Sequence, residues 1–446
     1  MKRVLIPNRG EIALRIIRAC RELGLECVVG ASQADRDGLA ARQADRVVVL
    51  GPGPAGESYL RDDIVVQAAL GTGCDAIHPG YGFLSESVRL AARTREHGLV
   101  FVGPPTEAMA LAGDKLAARA QAESAGVPVL RGGEVTGADQ ARELAGQIGY
   151  PVLVKAAGGG GGRGIKRVRD EPELEALVGL ARSEAGAAFA DDRVYIERLI
   201  ESARHVEVQI AGDGHGAVVQ LGERDCTVQR RYQKVIEEAP APALSELARG
   251  RLREAAVAFA RQIGYQNLGT VEFVIDADSD SDEFFFLEVN CRIQVEHPVT
   301  EAVTGRDLVA LQLQIADGRR LGFDQDDVAL SGHAVECRLN AEDVTRGFMP
   351  TPGTLSLFSL PERPRLRVDS GFFTGTVVPP YYDSLLAKLI AHGEDREQAI
   401  EILLDALEDV DVEGVETNRA VLIGALGHPD FAAANVTTDW LERALR

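Results

Sequence analysis

Residues 155–166 read KAAGGGGGRGIK, with five consecutive glycines from Gly158 to Gly162 and a sixth at Gly164. Such a run is either a flexible connector or a backbone surface for phosphate, because glycine accepts positive φ and lets N–H groups approach an anion closely. Gly159, Gly161 and Gly164 match GxGxxG, yet any glycine run does so. A dinucleotide-binding turn opens directly into a helix. Here Asp170-Glu171-Pro172-Glu173 carries the helix-start signals, leaving Ile165 to Arg169 as a short strand. A Walker A loop fails as well, since Ile165 follows Gly164 where Lys-Ser/Thr is required. The setting is strand (Pro151 to Ala156), glycine loop, strand. Lys155 before this hairpin tip and Arg163 within it favour an anion.

Outward from the loop the texture of the chain changes. Before about residue 130, short apolar strands alternate with helices. Arg3 to Pro7 is a strand, Ile12, Ile16, Ile17, Cys20 and Leu23 share one helical face, and Glu26 to Gly30 is the next strand. Strand candidates at Val47 to Leu50, Ala76 to Ile77 and Leu99 to Val102 extend this pattern into a parallel sheet covered by helices. The first turn, Asn8-Arg9-Gly10-Glu11, lacks a dinucleotide fingerprint. Later strands are longer: Val206 to Ile210 with Ala217 to Leu221, and Thr270 to Ile275 with Glu283 to Val289 as an antiparallel hairpin. The C-terminal third mixes strands with a helix opened by an Asp395/Gln398 capping box, its apolar face made by Ile400, Leu403, Leu404 and Leu407. The fold class is α/β followed by α+β.

The 446 residues are 45% hydrophobic and 26% charged, a globular balance. No apolar run reaches the roughly 18 residues of a membrane helix, and MKRVLIPNRGE lacks a secretory-signal pattern, so a cytoplasmic location is expected. A net charge of −20 repels nucleic acid and anionic lipid, which makes neither an expected partner. Clustered Lys and Arg therefore mark where an anionic substrate is met. Six cysteines without CxxC or zinc spacing read as free thiols.

Glu272 in Val-Glu-Phe-Val and Glu288 in Phe-Leu-Glu-Val-Asn sit among apolar strand neighbours, costly to bury unless paired or coordinating a cation. Period-two alternation puts Glu288 and Asn290 on one face, so Glu272, Glu288 and Asn290 offer oxygen ligands to Mg²⁺ beside a nucleotide's phosphates. A solvent-facing sheet edge is the alternative. In the next segment Arg292, Gln294 and Glu296 alternate onto one face, a cation to hold an oxyanion and a carboxylate to take a proton. A surface salt bridge is the plainer reading. Arg230-Arg231-Tyr232-Gln233-Lys234 and His333 to Arg338 add further basic charge.

Together these segments resemble the biotin carboxylase subunits of acyl-CoA carboxylases, which are ATP-grasp enzymes. The similarity runs nearly end to end, through NRGEIALRIIRAC (8–20), AIHPGYGFLSE (76–86), GDK (113–115), KAAGGGGGRG (155–164), RHVEVQI (204–210), ERDCTVQRR (223–231), QKVIEEAPAP (233–242), RIQVEHPVTE (292–301), GHAVECRLNAED (332–343) and PPYYDSLLAKL (379–389). The ATP-grasp motifs are shared with relatives such as carbamoyl-phosphate synthetase. RIQVEHPVTE and GHAVECRLNAED are more discriminating.

The resemblance implies a Rossmann-like N-terminal domain at 1–114, an ATP-grasp domain at 115–328 with a mobile lid at about 131–203, and a mixed α+β C-terminal domain at 329–446. It implies that Lys115 and Lys155 contact ATP phosphates while Gly161 and Gly162 close over them. The backbone of Glu197, Arg198, Leu199 and Ile200 would read adenine, with His205, Gln229 and Tyr232 along the nucleotide and Val274 and Val436 as apolar walls. Glu272, Glu288 and Asn290 would hold Mg²⁺ or Mn²⁺. Lys234, Arg292, Gln294 and the backbone of Val295 would form a bicarbonate pocket, with Glu296 as base, Arg338 stabilising the biotin enolate and Tyr81 on the biotin side.

The implied activity is ligation: ATP-dependent carboxylation of biotin through carboxyphosphate, the first half-reaction of an acyl-CoA carboxylase, acetyl-CoA foremost, in fatty acid biosynthesis. A pyruvate or other keto-acid carboxylase, or another ATP-grasp carboxylate–amine ligase, is the alternative. No internal Met-Lys pair occurs and the chain ends at Arg446, so a single-function subunit is expected. Its expected partners are a biotin carboxyl carrier protein, carboxyltransferase subunits and a second copy in a homodimer. Three positions depart from the family pattern. Tyr232 stands where His is frequent, Ala112 where Met usually precedes GDK, and Cys291 in place of Thr or Pro, a change expected to make the site oxidisable.

Overall fold

The computed structural model describes residues 1–158, 165–189, 191–279 and 283–445. Strands β1 (Arg3–Ile6), β2 (Glu26–Ser32), β3 (Arg46–Gly51), β4 (Ala76–Ile77) and β5 (Val100–Phe101) form a sheet in the order β3-β2-β1-β4-β5. Every pairing is parallel. Along β1, Leu5 enters one apolar cluster while Val4 and Ile6 enter another, because helices cover both faces. Gly10, at φ +63°, turns the chain from β1 into the helix Gly10–Glu22, whose Ile12, Ile16, Ile17 and Cys20 are buried as their spacing predicts.

The strand-loop-strand reading holds for the flanks of the glycine run. Strands β6 (Gly132–Val135), β7 (Val152–Ala156), β8 (Lys166–Val168) and β9 (Val194–Arg198) make an antiparallel sheet ordered β6-β9-β7-β8. The β7–β8 hairpin pairs Val152 with Val168 and Val154 with Lys166. The Asp170 carboxylate accepts the Glu173 N–H at 3.4 Å at the start of the helix Glu171–Phe189, which packs Leu174, Val178 and Ala181 on the sheet. Gly161 and Gly162, expected to close over phosphate, lie outside the described residues.

The largest sheet is antiparallel. It contains β10 (Ala203–Gly212), β11 (Val218–Arg230), β12 (Gln233–Ala239), β13 (Asn267–Asp276), β14 (Phe284–Asn290) and β15 (His333–Asn340). The order is β14-β13-β10-β11-β12-β15, continued by the strands Leu385–Gly393 and Leu366–Ser370. It runs without interruption past residue 328, joined by the β12–β15 pairing. The helix Arg396–Glu408 covers its C-terminal end with Ala399, Leu403, Ala406 and Leu407. The expected capping box is only half formed. Asp395 accepts the Gln398 N–H at 2.9 Å, but the Gln398 side chain accepts from the Glu394 N–H at 2.8 Å. Among the described residues no helix is long and apolar enough to cross a membrane.

Candidate active site

Directly opposed residues on antiparallel strands share a face, so register alone assembles the site. Glu207 on β10 lies opposite Glu272 on β13 and Arg224 on β11, and Glu272 lies opposite Glu288 on β14. From β12, Lys234 reaches into this face and donates to Glu207 at 2.6 Å, Glu272 at 3.0 Å and Glu296 at 2.6 Å. Arg224 is completely buried beside it, bonded to Glu207 at 2.5 Å, Gln209 at 2.8 Å, and the hydroxyls of Thr300 at 2.9 Å and Thr270 at 3.0 Å. Arg224→Met takes one of two cations from the buried Glu207, leaving Lys234, and is expected to cost about 3 kcal/mol in denaturant unfolding.

Glu296 is buried and meets two cations, Lys234 and Arg338. Burial alone would raise its pKa, but Lys234, Arg338 and Arg224 outweigh burial and hold it well below the usual range. Arg338 donates to Glu296 at 2.9 Å, and the same guanidinium nitrogen pairs with Glu237. Lys234 is kept charged in turn: burial opposes this, while the Glu207, Glu272 and Glu296 carboxyls favour it.

The expected strand-like alternation of Arg292, Gln294 and Glu296 is not what forms. The chain is irregular after β14, and Glu296 is the N-cap of the helix His297–Thr304, with Pro298 in its first turn. Arg292 still reaches Gln294 at 2.7 Å and Asn290 at 3.1 Å, and lies 3.3 Å from Glu86. Glu296 is joined to the group through Lys234 and Arg338. The Val295 carbonyl accepts from the fully buried Lys388 at 2.8 Å, and Lys388 also sits 3.2 Å from Glu11. Glu11 in turn accepts from the Tyr81 hydroxyl, which ties this tyrosine, expected on the biotin side, to the same turn.

The three expected metal ligands are neighbours. Asn290 donates to Glu272 at 2.8 Å, and Glu288, across from Glu272, is 3.2 Å from Lys115. Two carboxylates and an amide oxygen are the hard donor set that suits Mg²⁺, so these residues fit the ion. The tighter groups His205/Glu207/Glu272 and Glu207/Cys226/Glu296 are centred on the Lys234 ammonium, which already supplies their positive charge. Glu272 is held below the ordinary range because Lys234 and His205 outweigh its burial.

Among the residues expected to hold the nucleotide, Lys155 on β7 pairs with Glu197 on β9. The Arg198 N–H goes to the Arg131 carbonyl at 2.9 Å and the Leu199 N–H to Pro151 at 3.4 Å, so these donors are engaged within the small sheet. Ile200 packs with Leu130 and Ala203, and Val274 lies against them. Val436 is buried in the C-terminal cluster, which meets β10 where Thr438 N–H bonds the Ala203 carbonyl at 2.8 Å. His205 lies 2.9 Å from Glu272 and bonds Gln229 at 2.7 Å.

Tyr232 is not brought to this group. It forms the β11–β12 turn with Arg231, both at positive φ as a tight hairpin requires, and is 57% exposed. Cys291 is buried and its thiol is pushed up to about 12, chiefly by burial, so little thiolate exists and the expected oxidisability is not supported. Glu207, Arg224, Glu237, Glu336, Lys388 and Glu11 escaped the sequence reading. Glu207, in His-Val-Glu-Val-Gln, carries the same signal as Glu272, a carboxylate inside an apolar strand.

Residues 114–323 match the family described as carbamoyl-phosphate synthase L chain, ATP binding domain. Residues 1–109 match the biotin carboxylase N-terminal domain and 336–443 the biotin carboxylase C-terminal domain. An ATP-binding unit of this kind, with carboxylates and cations converging on one sheet face, defines an ATP-dependent ligase. Over its whole length the chain is 46% identical to the biotin carboxylase of Pseudomonas aeruginosa, covering 99% of that protein. A crystal structure of a biotin carboxylase–βγ-ATP complex from Campylobacter jejuni superposes with a TM-score of 0.96 at 42% identity, covering 99% of this chain and 98% of that one. The biotin carboxylase domain dimer of Hydrogenobacter thermophilus 2-oxoglutarate carboxylase, with MgADP, ADP and bicarbonate, gives 0.96 at 41%, covering 100% and 98%. The chain belongs to the biotin carboxylase family.

Proposed function

We propose that this protein carboxylates biotin borne on a separate carrier protein, using ATP and bicarbonate, as the first half-reaction of an acetyl-CoA carboxylase. The observation that carries the chemistry is Glu296, clamped between Lys234 and Arg338 beside the Arg292–Gln294 pair. Arg292, Gln294 and the Val295 turn hold bicarbonate, and Glu296 takes its proton. In the arrangement described, Lys234 and Arg338 keep Glu296 too acidic to be an effective base. An anion arriving beside it draws those cations to itself and adds like charge, and both effects raise the Glu296 pKa toward a useful value. The bicarbonate oxygen then attacks the γ-phosphate, breaking its bond to the β-phosphate oxygen so that ADP leaves, with Lys115 and Lys155 neutralising charge on the phosphates.

Carboxyphosphate is the product of that step. It breaks down to CO₂ and phosphate, the phosphate removes the biotin N1 proton, and Arg338 stabilises the enolate that attacks CO₂. Glu272, Glu288 and Asn290 would hold Mg²⁺, which when bound neutralises phosphate charge. Glu197 to Ile200, with Val274 and Val436, make the adenine side, His205 and Gln229 lie along the nucleotide, and Tyr81 faces biotin. We place the domain limits near residues 114 and 328.

The test is bicarbonate-dependent ATP hydrolysis with and without free biotin. Stimulation by biotin, with carboxybiotin formed, is expected; an ATP-grasp ligase of another kind shows none. The final acceptor is decided by reconstitution with carrier and carboxyltransferase chains. Discharge of carboxybiotin by acetyl-CoA supports the acetyl-CoA reading, and discharge only by a keto acid overturns it. A homodimer is expected in sedimentation, in keeping with the dimeric Hydrogenobacter thermophilus domain.

A further inference from the structure

At the seam of the large sheet, Glu237 on β12 lies directly opposite Glu336 on β15, so the two carboxyl groups leave the same face. Both residues are 0% exposed, and none of their four carboxyl oxygens has a hydrogen-bond partner. Glu237 touches the Arg338 guanidinium. Glu336 is in no ion pair among the described residues. A wholly buried carboxylate without a partner is so costly that the group keeps its proton instead.

The charged neighbours agree with this. Glu336 faces Lys388 from the strand Leu385–Gly393, Glu237 from β12, Arg338 from its own strand, and Glu296 from the start of the helix His297–Thr304. Glu237 also faces Lys234. Arg338 is taken up by Glu237 and Glu296, and the other cations are committed elsewhere: Lys388 to Glu11 and the Val295 carbonyl, Lys234 to Glu207, Glu272 and Glu296, and Arg224 on β11 to Glu207. Cys226, on the same strand as Arg224, is buried and held as a thiol. On the helix, His297 is held neutral by burial, and Glu301 pairs with Arg15 and Arg367 at 2.6 Å each. Asp369, on the strand Leu366–Ser370, pairs with Arg367. Against the opposite face, Arg396 pairs with Glu238, as does His333, and Arg419 bonds the carbonyls of Leu407 and Glu408. Burial raises both carboxyl pKa values, Arg338 opposes this at Glu237 and Lys388 at Glu336, and the Glu237 carboxyl raises Glu336 further.

We propose that Glu336 is a positioning residue for the biotin half-reaction, staying protonated beside Glu237, so that Arg338 is balanced between one negative charge at the seam and Glu296. This rests on the reading of Arg338 as the group that stabilises the enolate. Loss of the Glu336 proton places a second charge at the seam and draws the guanidinium away from biotin. The biotin reaction therefore has an alkaline limit set at the seam.

Glu336→Gln keeps the shape and makes the neutral charge permanent. With carbon-13-labelled glutamate, the wild type is expected to show a carboxyl that stays protonated above neutral pH and is missing from the variant. The kcat/KM for free biotin falls in the wild type by about tenfold per pH unit beyond the transition, as for a single ionisation, and stays flat over that range in the variant. Bicarbonate-dependent ATP hydrolysis of each protein, measured without biotin, is the internal reference. Its absence from the wild type sinks the functional reading, while the carboxyl titration still judges the inference. A Glu336 carboxyl ionised at neutral pH, or superimposable alkaline limbs, overturns the proposal. If the variant does not fold, the Arg338 side-chain nitrogen resonances of the wild type decide. They are expected to move with the alkaline titration of a buried carboxyl, and their invariance overturns the proposal.

Discussion

Glu296→Gln is expected to lower bicarbonate-dependent ATP hydrolysis by about a thousandfold, within the range usual for removal of a positioned general base. The amide keeps the size of the side chain and its place at the helix start, so the loss falls on the chemical step and is seen in kcat. The variant leaves Lys234 with Glu207 and Glu272, and Arg338 with Glu237, so neither cation is stranded. Stability gives a second readout. The native pKa of Glu296 is depressed, so its contribution is present above the ordinary carboxylate value of about 4.3 and is lost as pH falls through the lower native value. The variant lacks this term, and its unfolding midpoint in denaturant is expected to depend less on pH in the acid range. Turnover equal to the wild type would remove Glu296 from the mechanism.

Arg338→Gln is expected to reduce carboxylation of free biotin by about a hundredfold or more, the loss typical of removing one group aimed at a developing oxyanion. Bicarbonate-dependent ATP hydrolysis should fall by much less, because the proposed role of Arg338 follows carboxyphosphate formation. The ratio of the two rates separates this outcome from general damage. Damage is expected as well: Glu237 loses its one ion-pair partner among the described residues in a wholly buried position, at a cost of about 3–5 kcal/mol in denaturant unfolding. Arg338→Lys restores a charge but not a guanidinium with donors for two carboxylates, so it should recover stability better than biotin turnover. Equal losses in both rates would contradict a role confined to the second step.

Local chemistry was readable wherever it depended on neighbours in the chain. The parallel opening sheet followed from apolar runs separated by helical periodicity, and the β7–β8 hairpin from a glycine run bounded by a helix cap at Asp170. Period-two spacing correctly put Glu288 and Asn290 beside Glu272. The same rule failed one step later at Glu296, because His297-Pro298 starts a helix and ends the extended path.

Tertiary structure alone decided what meets Lys234 and Arg338. The carboxylates around them come from β10, β12, β13 and the helix start at Glu296, and strand periodicity gives the face a side chain leaves by, not the strand that will lie next to it. The β12–β15 seam, which carries the sheet past residue 328 and sets Glu237 against Glu336, has no local signal for the same reason. Residue types and their spacing determined which groups can do the chemistry. The pairing of distant strands decided which are charged, because burial and the nearest opposite charge exist only after the chain has folded.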